Sequence, residues 1–237
     1  MPQGYPPGYS PTDGVVGNWS PSEVVGFAWD RIKADPVTTI GAIVVGSLIA
    51  GAPGGLADFI AEIYWGAAAA SGGEPLTDPI FLAIKAFGIV IGSLAQAFMM
   101  AGMMNFSLKV ARGQTYAFSD IFEGSRWFLP VLGINFLSSL GVALGLILLI
   151  IPGVFLALSW CLAVSAAVDR NLGPIEALSE SFKLTDGHRL SLLLFFLILA
   201  GLGIVGLCAC FVGVVVAMTI GQLAIARVYT RLTGTAG

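Results

Sequence analysis

The chain is 237 residues long, 57% hydrophobic and only 11% charged, with a mean hydropathy of +0.90 and a formal net charge of −3. An average soluble domain is about 25% charged, so this chain has too little polar surface to cover a water-soluble globule and its solvent must be lipid. That excludes a soluble enzyme, and the length leaves room for one membrane domain with no separate soluble one.

The chain begins MPQGYPPGYSPTDG, which lacks the basic and apolar regions of a cleavable signal peptide. Its Gly, Pro, Tyr and polar content predicts a disordered cytoplasmic tail over 1–19. Ser20-Pro21-Ser22-Glu23 is a capping box with Pro at the first helical position. It opens an interfacial amphipathic helix over about 21–34 that carries Val25, Ala28, Trp29 and Ile32. The first uncharged run, Pro36–Ala57, is long enough to cross a bilayer, which takes about 20 apolar residues. Pro53-Gly54-Gly55 reads as its break, followed by an amphipathic segment at the outer interface over 56–70, with Leu56, Phe59, Ile60 and Ile63 on one face and Asp58 and Glu62 on another. The second run is Ala86–Leu108. Ser119 is a candidate cap for a second interfacial helix over about 119–127 bearing Phe118, Ile121 and Phe122. Trp127–Val168 holds two spans that turn at Ile151-Pro152-Gly153. Gly173-Pro174-Ile175-Glu176 repeats the Pro-at-N1, Glu-at-N3 layout and opens a third interfacial helix over about 174–184, with Ile175, Leu178 and Phe182 on one face. Leu190–Ala226 holds two more spans, turning near Gly206–Gly213.

The expected fold is therefore all-α and polytopic: six transmembrane helices in three hairpins (about 36–112, 127–169 and 189–231), each preceded by a short interfacial helix. Three units in one orientation make a parallel internal repeat. Ten bases (Arg31, Lys33, Lys109, Arg112, Arg126, Arg170, Lys183, Arg189, Arg227, Arg231) fall in the gaps on one side. The other side carries Asp58, Glu62, Glu74 and Asp78 with Lys85 alone. The positive-inside rule then puts both termini in the cytoplasm of a bacterial inner membrane. Ten acids balance the ten bases there, which argues against nucleic acid as a partner and leaves membrane lipids, a second copy or another membrane protein.

The stretch LILLIIPGVFLALSWCLAVSAAVDRNLGPIEALSESFKLTDGHR resembles a signature of a bacterial integral-membrane family, the membrane domain of glycerophosphoryl diester phosphodiesterase and related membrane domains. The matching residues are Ile151-Pro152-Gly153, Asp169, Gly173-Pro174-Ile175-Glu176-Ala177-Leu178, Ser181 and Lys183. The resemblance implies the membrane fold over roughly 20–235. It implies no activity, because the phosphodiesterase part of such fusions is absent from this sequence.

The residues themselves carry little chemistry. There is one histidine, His188, at a span end, and no metalloprotease, nucleophile-elbow, phosphate-loop or CxxC motif. Cys161, Cys208 and Cys210 read as small buried apolar residues, and Met99, Met100, Met103 and Met104 as flexible packing. No cofactor, metal or catalytic residue is expected. Gly88 and Gly92, Gly141 and Gly145, and the polar Gln96, Asn105, Asn135 and Gln222 are candidates for helix packing or pore lining. Trp29, Phe122, Trp127 and Phe182 are candidate interfacial contacts. Lys85 is a candidate for gating or for an outer ion pair with Asp78 or Glu74. The reading that fits best is a non-catalytic scaffold or assembly factor that self-associates. A channel or transporter for a small or lipid-like solute is the alternative.

Overall fold

A computed structural model describes residues 19–69, 78–208 and 212–235; Glu74, Cys210 and the expected tail lie outside them, except that the last tail residue, Trp19, is described and is buried in the core. The described residues form α-helices and one 3-10 segment, with no strand among them. In order these are α1 (Pro21–Ala34), α2 (Pro36–Ala69), α3 (Pro79–Ala111), the 3-10 segment (Phe118–Trp127), α4 (Phe128–Leu148), α5 (Ile150–Trp160), α6 (Ala163–Arg170), α7 (Pro174–Leu184), α8 (Arg189–Cys208) and α9 (Val212–Thr233). Six spans are long and apolar enough to cross a membrane, the fourth being made of α5 and α6 together.

The caps are local. Ser20 Oγ accepts the Glu23 N–H at 3.3 Å to start α1, and Glu176 Oε2 accepts the Gly173 N–H at 3.2 Å to start α7. The 3-10 segment differs from expectation. Asp120, not Ser119, closes its first turn by accepting the Ala117 N–H at 2.9 Å, because a carboxylate three residues in can reach back to the preceding N–H.

The first hairpin overturns the expected break. Pro53 lies inside an uninterrupted 34-residue α2, and no separate helix begins at Leu56. A proline removes one backbone bond, a loss that transmembrane helices tolerate when neighbours pack closely, and α3 packs on that very stretch. A Cβ on Gly92 would lie 3.2 Å from Gly54 Cα, and one on Gly88 would collide with the Ala57 methyl. At about 1.5 Å per residue α2 is roughly 51 Å long, against about 30 Å of hydrocarbon. The hairpin must tilt strongly or project from the bilayer.

The second hairpin turns earlier than expected, at the extended Leu149, so that Pro152 sits harmlessly in the first turn of α5. Gly145 meets Gly153 across the turn; a Cβ on Gly145 would lie 2.9 Å from Gly153 Cα. The fourth span then breaks at Cys161 and Leu162. The third hairpin, α8 and α9, brings Gly206 against Gly213, where a Cβ on either would strike the other's backbone.

The core is polarised along the bundle. Phe106, Ile121, Leu162, Ala167, Leu192, Phe195, Leu223 and Tyr229 are buried together at the base-rich end. Towards the other end Ile89, Ile147, Ile151 and Ile204 are exposed. In lipid such side chains cost nothing, and close packing rather than water exclusion holds the helices.

Candidate functional site

Two places gather the polar side chains. The first is a network that joins all three hairpins at the base-rich end. Arg112, which caps α3, is 2.5 Å from Asp169 Oδ1 at the end of α6. The Tyr229 hydroxyl of α9 donates to Asp169 Oδ2 at 2.9 Å. Arg112 also reaches Thr235 Oγ1 at 3.3 Å. Two residues before Tyr229, the buried Arg227 donates to the Ala111 carbonyl at 2.9 Å and lies over the Phe27 ring. A guanidinium at a helix C-terminus satisfies a carbonyl that has no helical partner. Arg231 pairs with Glu23 at 2.5 Å, which ties α9 to α1. The sequence pointed to Asp169 only as a residue of the family signature that ends the fourth span. The signal available was an acid at one span end with Arg and Tyr at the matching ends of two others.

Around this network the prefacing elements differ. The 3-10 segment docks on α3 backbone to backbone: a Cβ on Gly102 would overlap the Ile121 carbonyl, and one on Gly124 the Phe98 carbonyl. Lys109 bridges Asp120 (3.0 Å) and Glu123 (3.3 Å) beside it. Asn105 donates to Glu123 at 3.0 Å, so it is a base-end tie rather than a pore lining. Trp127 is buried and donates to the Asn171 side chain at 2.8 Å; an indole N–H with a protein partner does not serve as a headgroup anchor. Trp29, Phe122 and Phe182 are 46%, 45% and 40% exposed. Burial and the nearby Asp35 carboxylate hold the Tyr116 phenol above its ordinary range.

Helix α7 splits the face expected of it, with Leu178 turned inward. It buries Ala177, Leu178 and Ser181 and exposes Ile175 and Phe182. The inward Ser181 Oγ accepts the Leu162 N–H at 3.2 Å and donates to the Ser159 carbonyl at 2.7 Å; Thr185 Oγ1 adds a bond to the same carbonyl at 3.4 Å. These hydroxyls replace the helix bonds that the break gives up, which is what permits irregular backbone in a span.

The second place is lateral. Gln96 and Asn135 line a groove of about 680 Å³ between α3, α4 and α5, with Ser93, Ser138, Ser139 and Trp160. Gln222 lines another of about 460 Å³ between the first and third hairpins, where its Nε2 is buried without a partner. Gly141 is filled against by the Trp160 ring and Gly145 by Gly153, so these glycines, with Gly88 and Gly92, are used inside their own hairpins. At the far end Lys85 bridges Asp58 (2.9 Å) and Glu62 (3.4 Å) rather than the expected Asp78. Once α2 runs unbroken, its i, i+4 carboxylates stand directly opposite α3. Asp78 instead caps α3. Met99 and Met104 are core residues, and no cluster among the described residues could hold a metal.

An alignment of 239 residues covers 97% of this chain and 73% of an uncharacterized protein of Mycobacterium tuberculosis at 25% identity, and the same extent of one from Mycobacterium bovis. A UPF0259 membrane protein of Sodalis glossinidius is 30% identical over 106 residues, 44% of this chain and 42% of its own. No family model matches the chain, and no solved structure matches it. These weak likenesses and the six apolar helices point to an uncharacterised bacterial membrane family. The phosphodiesterase membrane domain is not among them.

Proposed function

We propose that this protein is a non-catalytic scaffold of a bacterial inner membrane. The excess of Lys and Arg turns its base-rich end to the cytoplasm, where it serves as a platform for a second copy or another membrane protein. The observation that carries this reading is the network of Arg112, Asp169 and Tyr229, which fastens the corresponding ends of all three hairpins together. A part braced in this way is suited to holding partners in register and poorly suited to the rocking motion of a transporter. Gly88, Gly92, Gly141 and Gly145 are used within the protomer, so self-association runs over the platform, through Trp29, Phe122 and Phe182.

Native mass spectrometry from lipid nanodiscs tests the reading. More than one copy is expected, reduced to one by the combined Trp29→Ala, Phe122→Ala and Phe182→Ala variant without a fall in melting temperature. A wild-type monomer that carries solute into liposomes, with flux abolished by Gln222→Leu, would overturn the scaffold in favour of a conduit.

A further inference from the structure

The groove between α3, α4 and α5 holds polar groups where the chain should have none. Gln96 sits in the middle of α3, on a surface that faces lipid, and its carboxamide has no protein partner among the described residues. Asn135 on α4 is likewise unpaired through its side chain. An amide left without a hydrogen bond in hydrocarbon costs several kcal/mol (about 4–8 against cyclohexane), so a bound molecule that supplies the missing bonds is favoured there.

The lining specifies that molecule. Ser93 gives its proton to the Val90 carbonyl at 2.8 Å, Ser138 to the Asn135 carbonyl at 3.4 Å, and Ser139 to the Asn135 and Phe136 carbonyls. Three hydroxyls whose protons are committed offer only lone pairs. With the two amide oxygens the groove is rich in acceptors, and the two amide NH2 groups add donors, so it matches a ligand that both gives and accepts hydrogen bonds. No Asp, Glu, Lys or Arg lines it, so a charged head would be buried unpaired at high cost. An uncharged hydroxyl group satisfies both conditions, whereas carboxylates and phosphodiesters have no proton to give.

Size and direction specify the rest. One turn of helix, about 10 Å wide and 5.4 Å high, fills roughly 400 Å³, so about 680 Å³ takes fewer than two turns of a partner helix. It falls within the range of about 300–1,000 Å³ usual for small-molecule sites. The groove starts at Gln96, about 3 Å along the axis of α3 from Phe98, the level at which the 3-10 segment docks through Gly124, and continues along α3 to Ile89. Its apolar walls include Phe136 and Val142. We propose that this groove binds a neutral single-chain amphiphile with a hydroxyl-bearing head, of the monoacylglycerol type, with the head at Gln96 and Asn135 and the chain along Ile89 and Val142.

The test is native mass spectrometry of the full chain from nanodiscs titrated with monooleoylglycerol, methyl oleate and oleate. Monooleoylglycerol should bind at least about tenfold more tightly than methyl oleate, which has the chain but no donor, and than oleate, which is charged. The Gln96→Leu, Asn135→Leu double variant should lose that preference, and Gln222→Leu, in the other groove, should keep it. Should the double variant fail to fold, a photoactivatable monoacylglycerol on the wild-type chain replaces it; crosslinks should fall within 89–96, 132–142 and 157–160. Equal binding of monooleoylglycerol and methyl oleate, a preference that survives the double variant, or crosslinks elsewhere overturns the proposal. Oligomeric state, the measure of the scaffold reading, is independent of all three results.

Discussion

The first and second hairpins handle proline and glycine in opposite ways. Helix α2 carries Pro53-Gly54-Gly55, a strong breaking signal, and runs straight through it for 34 residues. The fourth span has no proline or glycine at Cys161 and Leu162, and there it breaks. The difference lies in what each neighbour supplies. Helix α3 offers α2 a smooth backbone surface at Gly88 and Gly92, which rewards a regular helix. Helix α7 offers α5 and α6 two hydroxyls, which make an irregular backbone cheap. In lipid the sequence-local cost of a break is decided by whether a partner side chain can reach the freed groups.

The largest expected effect comes from removing those hydroxyls. A Ser181→Ala, Thr185→Val variant orphans the buried Leu162 N–H and Ser159 carbonyl at about 1–3 kcal/mol each. Its melting temperature in detergent should fall steeply, while Ser139→Ala, whose hydroxyl bonds only within its own helix, should leave it unchanged. If the two variants behave alike, the break does not depend on α7.

Filling the first hairpin's seam comes next. In Gly88→Val the new side chain meets the Ala57 methyl and α2, and overpacking of this kind costs about 1–3 kcal/mol. Engineered cysteine pairs across α2 and α3 should then crosslink more slowly. An unchanged rate would mean that the helices are not held at glycine distance.

The contrast explains which features were legible. Long uncharged runs are one-dimensional signals, so six spans could be read directly, as could the caps at Ser20 with Glu23 and at Gly173 with Glu176. Where the meaning of a residue rests on a distant partner, the reading failed. The break at Leu162 is stabilised by Ser181, nineteen positions on. The inward face of α7 carries Ala177, Leu178 and Ser181, and the apolar spacing of Ile175, Leu178 and Phe182 gives no sign of the inward hydroxyl that this break needs. Asn105 stood between helix packing and pore lining until Glu123, on another element, claimed its amide. The tight docking of Gly102 on Ile121 needed two separate segments to be seen together.

Exchanging the two prolines sharpens the comparison with a smaller effect of opposite sign. Pro53→Ala restores a backbone N–H to an otherwise regular helix and should raise the melting temperature modestly, below the ~3 kcal/mol proline penalty of a water-exposed helix. Pro152 sits in the first turn of α5, where its fixed φ favours the helix start. Pro152→Ala should therefore be neutral or lower stability by up to about 1 kcal/mol through the unfolded state. A gain from Pro152→Ala would show that the turn at Leu149 is strained.

The smallest effect lies at the far end of the first hairpin, and it is read by pH. Asp78 accepts N–H bonds from Ile80 (2.8 Å) and Phe81 (3.1 Å) and the hydroxyl of Tyr64 on α2 (2.9 Å). It is therefore both the cap of α3 and a tie between the two long helices. The Phe81 N–H, with the Tyr64 hydroxyl and the Ile80 N–H, holds its carboxyl below the ordinary carboxylate range against an opposing desolvation. A carboxylate depressed in the folded state contributes stability that is fully present above its unfolded value of about 3.9 and is lost as pH falls through the folded one. Melting curves taken from pH 6 down to about 3 should show this loss in the wild type. Asp78→Asn, which can still accept through one oxygen but cannot titrate, should be less stable than the wild type at pH 6 and should converge with it at the acid end. Parallel curves for the two proteins over that window would mean that the carboxylate does not hold α2 and α3 together at this end, and that the hairpin relies on the Lys85 bridge and the Gly88 seam.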